Sequence, residues 1–236
     1  MTALLIVLSA ALLLAVVILP ARAAIRAAPR RFVAGTTAYF VLIGLGFMFV
    51  EIGLVQRGSV FLGHPTYGLS IVLFSIILST GVGSLFSERL ALVWKRHFSI
   101  WAVALAGYLF CLPWWMPLVW QSFQLGGVAL RGAVVAATIA PAGFLMGCGF
   151  PTGMRLLTAT GAESTAPWFW GVNGAAGVLA AGVAVASSIS FSIDATLRVG
   201  AVCYLLLVPA WLVMTRGELA ERAGGRAVRA SLTAQR

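Results

Sequence analysis

The stretch VAGTTAYFVLIGLGFMFVEIGLVQ, residues 33–56, decides the fold class, because it is long and apolar and carries one charged group, Glu51. About 20 such residues form a helix that crosses the roughly 30 Å hydrocarbon core of a bilayer. Six further windows of comparable length and apolarity lie at 3–20, 67–86, 98–119, 129–150, 168–190 and 195–214. The sequence therefore predicts an all-α, polytopic transmembrane bundle of about seven helices.

The composition supports a membrane protein and argues against several functional classes. Hydrophobic residues make up 61% of the 236-residue chain and charged residues 9%, with a mean hydropathy of +1.02. The formal charge of +10 does not indicate nucleic-acid binding, because the basic residues cluster between apolar runs. The three cysteines form no CxxC pair, and the two histidines lack ligand-like neighbours. We therefore expect no metal, no cofactor and no nucleic-acid partner, with the lipid bilayer as the surroundings.

The distribution of basic residues predicts the orientation of the chain. Only Arg57, Arg131 and Arg198, of the 16 Lys and Arg residues, fall in the loops on one side of the predicted membrane. The positive-inside rule therefore places the N-terminus outside and the C-terminus in the cytoplasm. The first window is expected to be retained as a span, because positive charge follows it and none precedes it. We expect a multi-pass protein of the inner (plasma) membrane, with a transmembrane domain at 1–215 and a flexible basic cytoplasmic tail at 216–236.

Glu51 is the first candidate site residue, because a carboxylate near the bilayer centre costs about 2.5 to 3.5 kcal/mol on insertion scales and needs a partner or a wet cavity. Gln56, Arg57 and His64 follow it toward the predicted outer boundary. Arg57 is six positions away, about 240° around a helix, so it does not share a face with Glu51. A partner from another helix is expected. Two roles stay open: a protonated Glu51 bonded to a neighbouring helix, or a proton- or cation-linked function.

The fifth and sixth windows add small-residue motifs with polar groups. PAGFLMGCGFPTGMR, 141–155, pairs Gly143 with Gly147, ends at Arg155, and contains Pro151 as the expected end of the span. PWFWGVNGAAGV, 167–178, sets Asn173 among glycines spaced by three residues. Small residues let helix backbones approach closely, and Asn can hydrogen-bond between helices. We predict helix packing at Gly143, Gly147, Gly171, Gly174 and Gly177, and interhelical or ligand contacts at Arg155 and Asn173.

Tryptophans lie near the predicted ends of several windows, where interfacial aromatic belts occur. Trp114, Trp115 and Trp120 form an expected belt at the outer interface and face lipid in this interpretation. Trp168 and Trp170 are expected at interface depth where the sixth window begins.

Three segments together resemble a known family. They are YFVLIGLGFMFVEIGLVQRGSVFLGHPTYGLSIVLFSIILSTGVGS at 39–84, GFPTGMRLL at 149–157 and PWFWGVNGAAGVLAAGVAV at 167–185. Over roughly residues 30–205 the chain resembles the C-terminal membrane half of spermidine synthase-like integral membrane proteins. In that family the membrane half is fused to a Rossmann-fold synthase-like domain that uses an S-adenosylmethionine-type nucleotide. This sequence has no glycine-rich strand–turn–helix and no acidic pair for aminopropyl transfer, so the resemblance implies a separated membrane module.

These observations favour a protein that is not an enzyme by itself. The leading hypothesis is a non-catalytic membrane subunit that anchors or scaffolds a larger complex, with a separate spermidine synthase-like protein as one candidate partner. The alternative is a transporter of a polyamine or another small organic cation that uses Glu51. A membrane-embedded enzyme ranks last, because no nucleophile, base and metal set is clustered in the sequence.

Overall fold

The computed structural model describes residues 30–90, 92, 94–160 and 162–215, and all of their regular structure is helical. The helices are α1 (Arg30–Leu62), α2 (Pro65–Phe86), α3 (Lys95–Ser122), α4 (Val128–Gly147), α5 (Gly149–Ala159), α6 (Ala166–Ser190) and α7 (Ile193–Leu205), with a further helical stretch at 207–215. A short 3₁₀ turn, Glu163–Thr165, precedes α6.

Six segments among the described residues are long and apolar enough to cross a membrane, with α4 and α5 counted as one span. The all-α membrane fold predicted from the windows is therefore confirmed. The window at 3–20 and the tail at 216–236 lie outside the described residues, so the count of seven helices stays a prediction. The orientation is likewise still a prediction.

Helix α1 is the central element of the bundle. It packs against α2, α4, α5, α6 and α7, while α3 packs against α4 and α7. The outer helices run around α1 in the order α6, α7, α3, α4, α2, with neighbours in contact along that series. The helices α2 and α6, at the two ends of the series, share no comparable packing in the described part of the chain. This leaves an opening beside α1.

The turn between α1 and α2 is shorter than the gap between the predicted windows at 33–56 and 67–86. Helix α1 continues to Leu62 and ends at Gly63, whose φ of 78° is left-handed and suits a residue without a side chain. His64 then caps α2, because its Nδ1 accepts a hydrogen bond from the backbone N–H of Thr66 at 3.2 Å. Pro65 is the first residue of α2, where its missing N–H costs nothing.

The fifth window was predicted as one helix ending near Pro151, and this prediction is wrong. The chain breaks at Cys148 instead and continues as α5 to Ala159. Polar aromatic groups from two other helices satisfy carbonyls around the break. Trp101 Nε1 donates to the Leu145 carbonyl at 3.0 Å, and the Tyr39 hydroxyl donates to the Gly149 carbonyl at 2.7 Å. Because these groups meet carbonyl oxygens that apolar surroundings would leave unsolvated, they stabilise the break.

Aromatic side chains fill the core near the start of α1. Phe40 stacks on Phe169 of α6 with ring centroids 5.5 Å apart, and Phe98 of α3 stacks on Trp211 at 5.4 Å. Tyr39 is fully buried between them. This cluster ties α1, α3, α6 and the last helical stretch together at one end of the bundle. The other end carries the turns at 63–64, 123–127 and 191–192, and we call it the turn end.

Candidate functional site

A groove of about 780 Å³ opens between α2 and α6, with α1 and the α4–α5 junction as its floor. Its walls are almost wholly apolar, and several of their side chains are exposed: Ile77 at 65%, Trp170 at 59% and Val178 at 55%. Because the groove lies along helices that span the membrane, these walls face lipid or another hydrophobic surface. The remaining lining residues are Ile43, Gly44, Phe47, Met48, Thr80, Gly81, Ser84, Met146, Gly147, Phe150, Pro151, Asn173, Gly174, Gly177 and Ala181.

The glycines around this groove fall into two groups. A Cβ atom added to Gly147 would collide with the backbone of Thr80, and one added to Gly143 would collide with the Ser79 hydroxyl. These two glycines therefore set the close approach of α4 to α2. At Gly81 and Gly174 an added Cβ would have nothing within 4 Å. Their backbones lie open in the groove wall.

Gly174 was predicted to pack against another helix, and in the described structure it does not. Gly177, one turn further along α6, has Met48 Cγ 3.5 Å from the position of its would-be Cβ, which is an ordinary contact. Gly171 is half-buried on the same helix. Helices α1 and α6 approach each other closely at Gly44 of α1, where an added Cβ would collide with the Asn173 carbonyl of α6. The small-residue face of α6 is thus partly used against α1 and partly left uncovered.

Asn173 brings a polar side chain to this apolar groove. The residue is half-buried, and its Oδ1 is buried with no hydrogen-bond partner among the described residues. An unpaired amide oxygen costs free energy in a hydrocarbon environment, where no water replaces the missing donor. The residue lines the groove, so its amide is a polar group close to whatever fills this space.

Glu51 lies one helical turn beyond the groove lining of α1. It is three residues from Met48 and four from Phe47, so it shares their face of the helix. The residue is half-buried and forms no ion pair with any residue that the structure describes. A charged partner for Glu51 from another helix is therefore not seen among the described residues.

Arg57 pairs with an acidic residue that the sequence analysis did not select. Its Nη2 donates to Asp194 Oδ1 at the start of α7, which joins the two helices at the turn end. The side chains are 27% and 36% exposed. Neighbouring Gln56 has a buried Oε1 without a partner in the described part of the chain. His64 caps α2 at the same end.

Arg155 lies at the opposite end of the bundle from Arg57. Its Nη1 donates to the Ser87 hydroxyl and its Nη2 to the Ser87 carbonyl, both at 3.0 Å. Nη2 also donates to Thr152 Oγ1 at 3.2 Å. Ser87 is the residue after α2, so a cation here complements the negative end of the helix dipole. These contacts assign Arg155 to helix capping.

The six polar candidates therefore do not form one site. Asn173 lines the groove, Glu51 lies beyond its wall, Arg155 caps a helix at one end, and the other three are at the turn end. Sequence reasoning missed two structural contacts: Asp194 pairs with Arg57, and Arg131 donates to the Phe61 carbonyl. One sequence signal could have drawn attention to Asp194: it lies two residues after Ser192. The Ser192 side chain caps α7 by accepting a hydrogen bond from the Ala195 N–H, which places Asp194 in the first turn of that helix.

The lipid-facing position predicted for Trp120 is wrong. Trp114 is 58% exposed, but Trp120 is only 3% exposed and is a core residue, not a lipid-facing one. The Trp120 indole donates to Thr138 Oγ1 at 3.1 Å and stacks on Phe61. Trp115 is half-buried against Tyr108. At the other end Trp170 is exposed and packs edge-on to Phe150, while Trp168 is half-buried.

No cluster of three or more His, Cys, Asp or Glu residues suited to a metal ion occurs within the described ranges. Comparisons of the chain with protein-family models, with curated proteins and with solved structures give no match.

Proposed function

We propose that this protein is a non-catalytic membrane subunit that anchors or scaffolds a larger complex, and that the groove between α2 and α6 receives a membrane helix of a partner subunit. The observation that carries the proposal is the groove itself, which has a volume of about 780 Å³ and apolar walls that no described residue covers, beside the central helix.

The chemistry of the groove favours a helix over a water-soluble ligand. Helices associate in lipid through close packing of small residues and through interhelical hydrogen bonds. Gly81 and Gly174 offer open backbone for such packing, and Asn173 Oδ1 offers an unpaired acceptor. A polar ligand would find few partners on these walls.

Site-specific crosslinking tests the proposal in the native membrane. A photoreactive amino acid at Val178, in the groove wall, is compared with one at Val103 on α3, which is also 55% exposed but lies outside the groove. We expect a protein adduct from position 178 and none from 103. Adducts only with residues 3–20 of the same chain, only with lipid, or equally from both positions would contradict a partner helix in the groove.

A matched pair of glycine substitutions adds a second test. Gly174→Leu fills the groove, whereas Gly107→Leu places the same side chain at another open glycine on α3. The adduct from position 178 is expected to disappear in Gly174→Leu and to persist in Gly107→Leu. Persistence in both variants would count against the groove as the docking surface.

The resemblance to spermidine synthase-like membrane proteins supplies one candidate for the partner: a separate synthase-like protein. In that case this chain contributes the membrane module and the partner contributes the enzyme. Mass spectrometry of the complex, extracted intact from its native membrane, identifies the partner through its mass and peptides. Recovery of a lone, monodisperse chain would argue against the scaffold function.

Transport of a polyamine or another small organic cation is the second candidate, and the position of Glu51 favours it. A half-buried carboxylate without an ion pair in the described structure, next to the groove lining, can attract a cation or carry a proton. Glu51→Gln should then abolish spermidine uptake into proteoliposomes, whereas Glu88→Gln, an exposed loop position, should not. Equal uptake by wild type and Glu51→Gln would exclude this role for Glu51.

A further inference from the structure

A second cavity, of about 460 Å³, lies at the turn end of the bundle. It is formed where α1 and α3 end and α4 begins. Its polar lining consists of two arginines, Arg57 and Arg131, and two exposed glutamines, Gln121 and Gln124. Trp120 forms part of its apolar wall. This lining differs in kind from the apolar groove.

Each arginine uses only part of its donor capacity within the protein. Arg57 donates through Nη2 to Asp194, and Arg131 donates through Nη1 to the Phe61 carbonyl at 3.2 Å. The Nε atoms of both residues are buried and have no acceptor among the described residues. A guanidinium carries five N–H donors, and the Nη atoms that make no hydrogen bond to the described residues, Arg57 Nη1 and Arg131 Nη2, are the donors left for an external acceptor.

The charge around this cavity is unbalanced. Asp194 is the acidic residue that faces Arg57, and no described acidic side chain is paired with Arg131. Arg198, a third cation near the turn end, lies over the rings of Phe110 and Trp114 at 5.7 and 5.3 Å. Glu88, in the α2–α3 loop, and Glu163, in the 3₁₀ turn before α6, lie at the opposite end. Among the described residues that line the cavity, Arg131 is therefore a cation without a paired carboxylate, and an anion can neutralise its charge.

We propose that this cavity binds a phosphate group, with Arg57 and Arg131 as its charged ligands and the amides of Gln121 and Gln124 as additional hydrogen-bond donors. Planar guanidinium forks match the oxygens of phosphate, and charge-assisted hydrogen bonds are the strong ones. The volume admits a phosphate together with the group that carries it. That group is either a lipid headgroup, which lies at helix-end depth, or a soluble phosphate compound. The proposal does not depend on the groove or its partner.

Thermal unfolding of the full chain in a neutral, phosphate-free detergent tests this site. The probes are inorganic phosphate and short-chain phosphatidylglycerol, with sodium chloride and short-chain diacylglycerol as the respective controls. A ligand that binds the folded state raises the unfolding temperature with its concentration. We expect at least one phosphate probe to do so in wild type beyond its control. Stabilisation by both probes identifies a free-phosphate site, and stabilisation by the lipid alone identifies a headgroup site.

Two variants show whether the rise in unfolding temperature comes from binding in this cavity. Arg131→Gln should raise the half-saturating probe concentration by at least about tenfold, as expected for the loss of hydrogen bonds from a charged donor. Arg198→Gln removes the same charge at the same end without touching the cavity and should leave that concentration unchanged. Gln124→Leu, at an exposed position, tests the same cavity if Arg131→Gln does not fold. An unchanged response of the cavity variants, or no response of wild type to either probe, would overturn the proposal.

Discussion

At the scale of single residues, the ion pair of Arg57 and Asp194 links α1 to α7. Both side chains are partly exposed, at 27% and 36%, so solvent weakens the attraction relative to a buried pair. We predict that Arg57→Gln and Asp194→Asn each lower stability, and that a double-mutant cycle gives a coupling of about 1 kcal/mol, at the upper end for exposed pairs. Unfolding in mixed micelles measures both quantities.

The matched control for this cycle combines Asp194→Asn with Arg155→Gln. Arg155 binds Ser87 and Thr152 at the other end of the bundle, so its loss should add independently to that of Asp194. If the effects of Arg57→Gln and Asp194→Asn on the free energy of unfolding add as independently as those of the control pair, the ion pair does not contribute to stability.

At the scale of helices, glycines decide how closely the backbones approach. Gly147 on α4 is in backbone contact with Thr80 on α2, whereas Gly174 on α6 has open space around it. We predict that Gly147→Ala lowers the free energy of unfolding by about 1–3 kcal/mol, because the added methyl overpacks the interface. Gly174→Ala should raise it by about 0.4–1 kcal/mol, because alanine restricts the unfolded chain without a clash.

The opposite signs make this comparison informative, since both substitutions add the same methyl group to a helix. Unfolding of the two variants in the same detergent is the measurement. Stabilisation by Gly147→Ala would show that α2 and α4 are not held at this separation. Destabilisation by Gly174→Ala would show that another surface already covers the groove under those conditions.

At the scale of the whole molecule, the bundle places its loops at two opposite ends, and the predicted orientation can be tested on them. Gly127 lies in the exposed α3–α4 turn and Glu88 in the exposed α2–α3 loop. We predict that a membrane-impermeant thiol reagent labels Gly127→Cys on intact cells and labels Glu88→Cys only after the membrane is opened. The native cysteines are replaced by alanine in both variants.

The positive-inside asymmetry is the physical basis of this expectation, because short loops rich in Lys and Arg stay on the cytoplasmic side. Labelling of Glu88→Cys, but not of Gly127→Cys, on intact cells would reverse the orientation. It would also place the phosphate-binding cavity on the cytoplasmic face.

The sequence by itself determined the membrane fold class and the approximate limits of the described spans, except for the end of the span that runs from Val128 to Ala159. It could do so because a helix in lipid needs only a long enough apolar stretch, a property that one-dimensional hydropathy measures. The sequence also selected Asn173, Gly147, Gly174 and Gly177 as notable, and all four line the groove. It did not predict that Gly174 stays uncovered or that Trp120 is buried.

Only the tertiary structure decided which helices are neighbours and where polar groups meet. The break at Cys148, the joining of Arg57 to Asp194 and the assembly of the arginine-lined cavity all depend on the rotation and crossing of helices distant in sequence. Helix rotation and crossing follow from which small residues meet across each interface. Hydropathy does not show which faces meet, because an apolar helix face can pack equally well against lipid or against another helix.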